Sequence, residues 1–209
     1  MPSRFSAADR ICEIVLVRHG EAVGARAGRL LGATDPPLTA LGRAQAARLA
    51  QWLSRRPVSR VIASERQRAR TTAAAIARPH LLPVELWPEL NEVDFGRWEN
   101  KKYADLSPGD RKRFLAWRCN PWRASPPGGE SARRLHRRIA RAWRRLPGLP
   151  PGRVVLVAHG GSVRMLLALA LGLPLAQVLR WDLSPASMTG LVLADGEVWM
   201  GYVNRTCGA

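Results

Sequence analysis

The chain has 209 residues, 46% hydrophobic and 23% charged, enough apolar content to bury a core and too much for a disordered chain. Its 33 Lys plus Arg against 16 Asp plus Glu give a formal charge of +17, almost all arginine, since Lys101, Lys102 and Lys112 are the only lysines. The longest apolar run, Met165 to Ala176, is broken by Gly172 and Pro174 and is shorter than the roughly 20 residues that cross a bilayer.

Met1 to Arg10 lacks the apolar centre of a secretory signal, and Cys12, Cys119 and Cys207 form no CxxC pair. A cytoplasmic protein with reduced thiols and no membrane partner is expected. Clustered arginine is what a nucleic-acid binder uses to neutralise phosphates. No aromatic-interleaved basic strand or groove-reading motif accompanies it here, so solvated helix faces are the expected home of the charge. The same field favours an anionic small substrate.

In chain order, Ile11 to Val17 is a β-branched run without alternation, which suits a strand buried on both faces. Thr39 to Arg56 has helical spacing, with Leu41, Ala44, Leu49, Trp52 and Leu53 sharing a face. Val58 to Ala63 reads as a short strand, and Ser64 as the N-cap of a helix beginning SERQRARTTA. Val84 to Trp87 is a further strand, Asp105 to Trp117 a weak helix, and Asn120 to Ser131 a loop. ARRLHRRIARAWRRL, from Ala132, is an amphipathic helix with an apolar stripe of Leu135, Ile139, Ala142 and Leu146. After the turn Pro147 to Gly152 come a strand, Arg153 to Ala158, and a helix, Ser162 to Leu171. Met188 to Leu193 and Glu197 to Val203 flank the turn Ala194-Asp195-Gly196 as an antiparallel hairpin. Alternating strands and helices over this length imply a mostly parallel sheet covered on both faces.

IVLVRHGEA, from Ile14, has a near copy in VVLVAHGGS, from Val154. In a parallel sheet ligands bind beyond the carboxyl ends of the strands, so two strands ending in His-Gly would deliver His19 and His159 to one crevice, each followed by a glycine that lets the chain turn. His80 and His136 lack that context and are expected at the surface. No HxH or HExxH spacing and no GxxxxGK[ST] loop is present. A metal-independent nucleophile is the expectation, and histidine can serve as one.

RHGE, from Arg18 to Glu21, resembles the signature of the histidine phosphatase superfamily, the phosphoglycerate-mutase-like fold. Five further pieces match in order: DPPLTALGRAQA (35–46), SERQRARTTA (64–73), ELNEVDFGRWE (89–99), PPGGES (126–131) and AHGG (158–161). The resemblance implies a three-layer α/β/α domain over residues 1–209, its mostly parallel sheet carrying an antiparallel edge, with a variable lid at about 95–130. It implies that His19 attacks phosphorus while its other ring nitrogen donates to a backbone carbonyl. Arg18, Arg68 and Gly160 bind the phosphoryl oxygens, His159 donates to them, and Glu92 is the general acid and base. No metal or cofactor is implied.

AVGA after RHGE departs from the Thr and Trp-Asn that many members carry, Glu65-Arg66-Gln67 replaces a Pro-Leu turn, and the chain is shorter than cofactor-dependent mutases. These favour a phosphatase over a mutase. LLGATDPPLT, the loop ending PPGGES and GGSVRMLLALALGLP look most like the α-ribazole phosphatase branch, which acts in cobalamin assembly. Trp98, Trp117 and Trp122 lie in the lid, where they either stack on a substrate ring or pack internally. The expected partner is a small-molecule phosphate ester, with an oligomer left open. The alternatives are a phosphoglycerate mutase-type transferase and a non-catalytic basic protein that binds nucleic acid or phosphate.

Overall fold

Two of the most apolar stretches lie side by side at the centre of the sheet: β1 (Cys12–Arg18) pairs in parallel with β4 (Gly152–Ala158), with Arg18 opposite Ala158. The computed structural model describes residues 12–194 and 196–207; Met1 to Ile11 and Asp195, where parts of the expected first strand and last turn fall, lie outside them. β2 (Arg60–Ala63) and β3 (Val84–Leu86) extend the parallel part beyond β4. On the other side β5 (Met188–Ala194) runs antiparallel to β1 and pairs with β6 (Glu197–Arg205). The order is β3-β2-β4-β1-β5-β6, a mixed sheet of six strands with an antiparallel edge.

Because successive side chains on a strand point to opposite faces, β1 feeds two cores. Ile14 and Leu16 belong to the core that includes Leu135 and Ile139 of α4 (Ala132–Arg145) and Leu166 of α5 (Gly160–Ala170). Val15 and Val17 belong to the other, with Leu49 and Leu53 of α1 (Ala40–Ser54) and Ile76 of α2 (Gln67–Ala77). Each such fully buried aliphatic side chain contributes about 1.5–3 kcal/mol. The stripe of Leu135, Ile139, Ala142 and Leu146 is buried as its spacing required.

Three local expectations are corrected. α1 buries Gly42, Ala46, Leu49 and Leu53, leaving Leu41 and Ala44 exposed. The reason is a close approach: a Cβ on Gly42 would stand 2.0 Å from the Glu21 carbonyl oxygen, and one on Gly20 2.4 Å from the Gly42 oxygen. Gly20 is therefore required for contact with α1 and not for a turn, since its φ is not positive. Ser64 does not cap α2. The helix starts at Gln67, whose N–H donates to Asp35 Oδ2 at 2.7 Å.

The segment between β3 and α4 holds α3 (Pro108–Cys119), capped by Ser107, whose hydroxyl accepts from the Asp110 N–H. Trp98 there is fully buried, edge-on to Phe114 and Trp117, and so packs internally. The short α6 (Leu175–Val178) follows α5. No helix among the described residues is long and apolar enough to cross a membrane.

Candidate active site

The parallel register that sets Arg18 opposite Ala158 also sets His19 beside His159: their ring centroids are 4.9 Å apart with planes inclined by 64°. The His19 N–H donates to the Ala158 carbonyl, tying the two strand ends together. Gly160 is the first residue of α5, so the second His-Gly opens directly into a helix.

His19 is 5% exposed, and its Nδ1 lies 2.7 Å from the Gly20 carbonyl oxygen. A carbonyl only accepts, so Nδ1 carries the proton. Arg68 Nε donates to His19 Nε2 at 3.2 Å, which requires a bare lone pair on that nitrogen. Burial, with Arg68 and Arg18 nearby, pushes the His19 pKa down to about 3. The imidazole is thus neutral, with an unprotonated Nε2 that can attack an electrophile in place of accepting from Arg68.

Arg68 is fully buried and held on every nitrogen. Its Nη1 donates to the Thr34 carbonyl and Asp35, and its Nη2 to the carbonyls of Leu31 and Gly32. Those carbonyls are fixed in turn by Glu99, whose carboxylate accepts from the N–H groups of Gly32, Ala33, Thr34 and Phe95 and from the Thr34 hydroxyl. These bonds hold the Glu99 pKa below the usual carboxylate value against half-burial. The 31–35 loop is therefore a clamp that aims Arg68 Nε at His19 Nε2.

Glu92 sits on the N-terminus of α5. Its Oε2 accepts from the Gly161 N–H at 2.9 Å and its Oε1 from Ser162 and Val93. A carboxylate there is favoured by the helix dipole. A Cβ on residue 161 would lie 2.4 Å from Oε1, so glycine is needed for that seat. Behind it, Arg138 forms a two-pronged pair with Glu130 and also donates to the carbonyls of Glu89, Asn91 and Glu92. One arginine of the basic helix thus fastens the acid-bearing loop to α4.

Arg18, His19, Arg29, Glu92 and Arg164, with Gly160 and Gly161, line one pocket together with apolar residues that include Leu30, Leu31, Phe95, Trp117, Leu135 and Leu179. Arg164 is anchored by two hydrogen bonds to the Trp181 carbonyl, and its Nη1 lies 2.9 Å from where a Cβ on Gly160 would stand. Burial lowers the Arg18, Arg68 and Arg164 pKa values from the ordinary guanidinium range. Arg68 and His159, both fully buried, lie beneath this lining.

All six residues singled out in the sequence are therefore brought together: His19, His159, Arg18, Arg68, Glu92 and Gly160. His80 and His136 are elsewhere and half-buried, His136 edge-on to Trp122, which is 42% exposed and outside the pocket. Sequence reasoning missed Ser64, Asn91, Glu99, Arg138 and Arg164. Of these, Ser64, Asn91, Glu99 and Arg164 lay within stretches quoted for the resemblance, which singled out none of them.

Residues 14–206 match the sequence profile of the histidine phosphatase superfamily (branch 1). The chain is 33% identical over 191 residues to an adenosylcobalamin/alpha-ribazole phosphatase of Salmonella typhimurium, covering 90% of this chain and 94% of that protein. Its fold superimposes with a TM-score of 0.84 on an alpha-ribazole phosphatase of Shigella flexneri, 30% identical, covering 92% of this chain and 96% of the other. A mycobacterial glucosyl-3-phosphoglycerate phosphatase with VO3 gives 0.81 at 29% identity, covering 93% and 99%.

Proposed function

Since the chain belongs to the histidine phosphatase superfamily and is a phosphatase, we propose that it hydrolyses small phosphate monoesters through a phosphohistidine at His19. The observation that carries this reading is the pinned tautomer: Nδ1–H on the Gly20 carbonyl leaves Nε2 bare beside Arg68. His19 Nε2 attacks phosphorus as the bond to the leaving oxygen breaks, and Glu92, having taken a proton from solvent as the ester binds, gives it to that oxygen. Glu92 then takes a proton from water, whose oxygen attacks phosphorus and releases His19. Arg18, Arg68, Gly160 N–H and His159 stabilise the charge on the phosphoryl oxygens. Residues 95–130 act as a lid on a single domain, supported by Phe95, Trp117 and Pro121 in the pocket lining.

The leaving group we favour is a ribosyl benzimidazole, as in α-ribazole 5′-phosphate. Support comes from the relatives and from two aromatic residues of the pocket lining, Phe95 and Trp117, which meet edge-on with centroids 5.8 Å apart and offer ring surface to a flat base. The test is kcat/KM for α-ribazole 5′-phosphate against 3-phosphoglycerate and an alkyl phosphate. A preference of tenfold or more for the ribazole is expected; equal values would remove the substrate assignment and leave the phosphatase chemistry.

A further inference from the structure

His159 is buried on all sides, and only one of its ring nitrogens has a partner: Nε2 lies 2.7 Å from Ser64 Oγ, while Nδ1 has none among the described residues. Which nitrogen carries the proton can be read from the next two links. Asn91 Nδ2 donates to Glu65 Oε2 at 3.0 Å, and Asn91 Oδ1 accepts from the Glu65 N–H at 3.0 Å. Turning the amide over would set donor against donor and acceptor against acceptor, so its orientation is fixed. Ser64 Oγ lies 2.8 Å from that Oδ1. An amide oxygen only accepts, so the single hydroxyl proton of Ser64 is spent on Asn91. Ser64 Oγ must then accept from His159, as it accepts from the Arg66 N–H at 3.2 Å.

We propose that Ser64 and Asn91 hold His159 as its Nε2–H tautomer, so that bare Nδ1 takes up a proton when a phosphate ester binds and only then donates to a phosphoryl oxygen. The proposal rests on the phosphatase reading and refines the role of its second histidine. The neutral resting ring is what its surroundings require. Burial above all, and then the titratable groups around it, which are His19 after β1, Arg68 and Arg66 at the start of α2, and Arg138 on α4, hold its pKa well below the ordinary value. A dianion bound in the pocket beside His19 and Gly160 reverses that balance by supplying the opposite charge. The proton comes from the monoanionic ester or from solvent and moves to Nδ1. No bond to phosphorus is involved. Ser64 and Asn91 are positioning residues that act through His159.

The test uses the full chain and benzylphosphonate, a non-hydrolysable ester mimic that carries no P–OH once fully ionised. Nitrogen-15 NMR of the free protein reads the tautomer without any ligand: His159 is expected with a protonated Nε2 and a bare Nδ1. Titration calorimetry in buffers of differing ionisation enthalpy then counts protons, with about one taken up per phosphonate dianion and both His159 nitrogens protonated in the complex. Ser64→Ala frees the ring to adopt the Nδ1–H tautomer, and uptake should drop by at least half; Ser64→Thr keeps the hydroxyl and should restore it. A resting Nδ1–H tautomer, or binding without uptake in the wild type, would overturn the proposal. Failure to bind phosphonate at all, with the Nε2–H tautomer in place, would instead remove the phosphatase reading and the protonation step built on it.

Discussion

A single methyl group at position 161 should separate the acid from the nucleophile. In Gly161→Ala the new Cβ would stand 2.4 Å from Glu92 Oε1 and 3.2 Å from its carboxyl carbon, about 1 Å short of ordinary contact. What gives way is the end of a side chain, so the cost falls on Glu92's position and not on the fold. Alanine also gains about 0.5–1 kcal/mol over glycine within a helix, so the melting temperature should not fall. A misplacement of about 1 Å can cost about 100-fold in rate. The loss should depend on the leaving group. An alkyl phosphate, whose departing oxygen needs a proton, should lose about 100-fold in kcat/KM, whereas a nitrophenyl phosphate, whose oxygen leaves as the anion, should lose about tenfold or less. The assay is kcat/KM for both esters alongside a thermal melt. Equal losses for the two esters, or no loss, would refute the assignment of Glu92 as proton donor.

Arg138→Ala removes one partner of a nearly buried ion pair, 14% and 11% exposed, together with three carbonyl contacts. It should cost about 3 kcal/mol in urea unfolding. His19 and His159 are buried neutral and bind protons once unfolded, so ν_U exceeds ν_N below the ordinary histidine pKa near 6.5 and above the folded value, about 3 for His19. Stability should therefore be full above about pH 6.5 and fall toward pH 4 by about 1.4 kcal/mol per pH unit per histidine, a slope that His19→Gln should reduce by one proton. Trp117→Ala should raise KM about tenfold for an ester with a flat aromatic leaving group and leave a small alkyl phosphate nearly unchanged, as steady-state kinetics would read.

The parallel centre of the sheet was legible because β1 and β4 are apolar without alternation, the pattern of strands covered twice. The meeting of His19 and His159 was legible because one strand-His-Gly context occurs twice. The supporting residues were hidden for physical reasons that spacing does not carry. Ser64 precedes a helical run and so resembles an N-cap, yet it turns to His159 from 95 residues away, and Asp35 binds the helix start in its place. Arg138 is one of several arginines on a solvated helix, distinguished only by Glu130 on the preceding loop. The rotation of α1 that exposes Leu41 follows from contact between Gly42 and the Glu21 carbonyl, a tertiary approach that outweighs apolar spacing.

The central claim is covalent chemistry at His19. Wild type and His19→Ala, mixed with phosphorus-32-labelled aryl phosphate in excess chelator and quenched in base within milliseconds, would be digested and the label mapped. Acid-labile, base-stable label on the peptide holding His19, with label and turnover both absent from the variant, is the predicted result. Turnover that persists in His19→Ala, or label on another residue, would contradict the account.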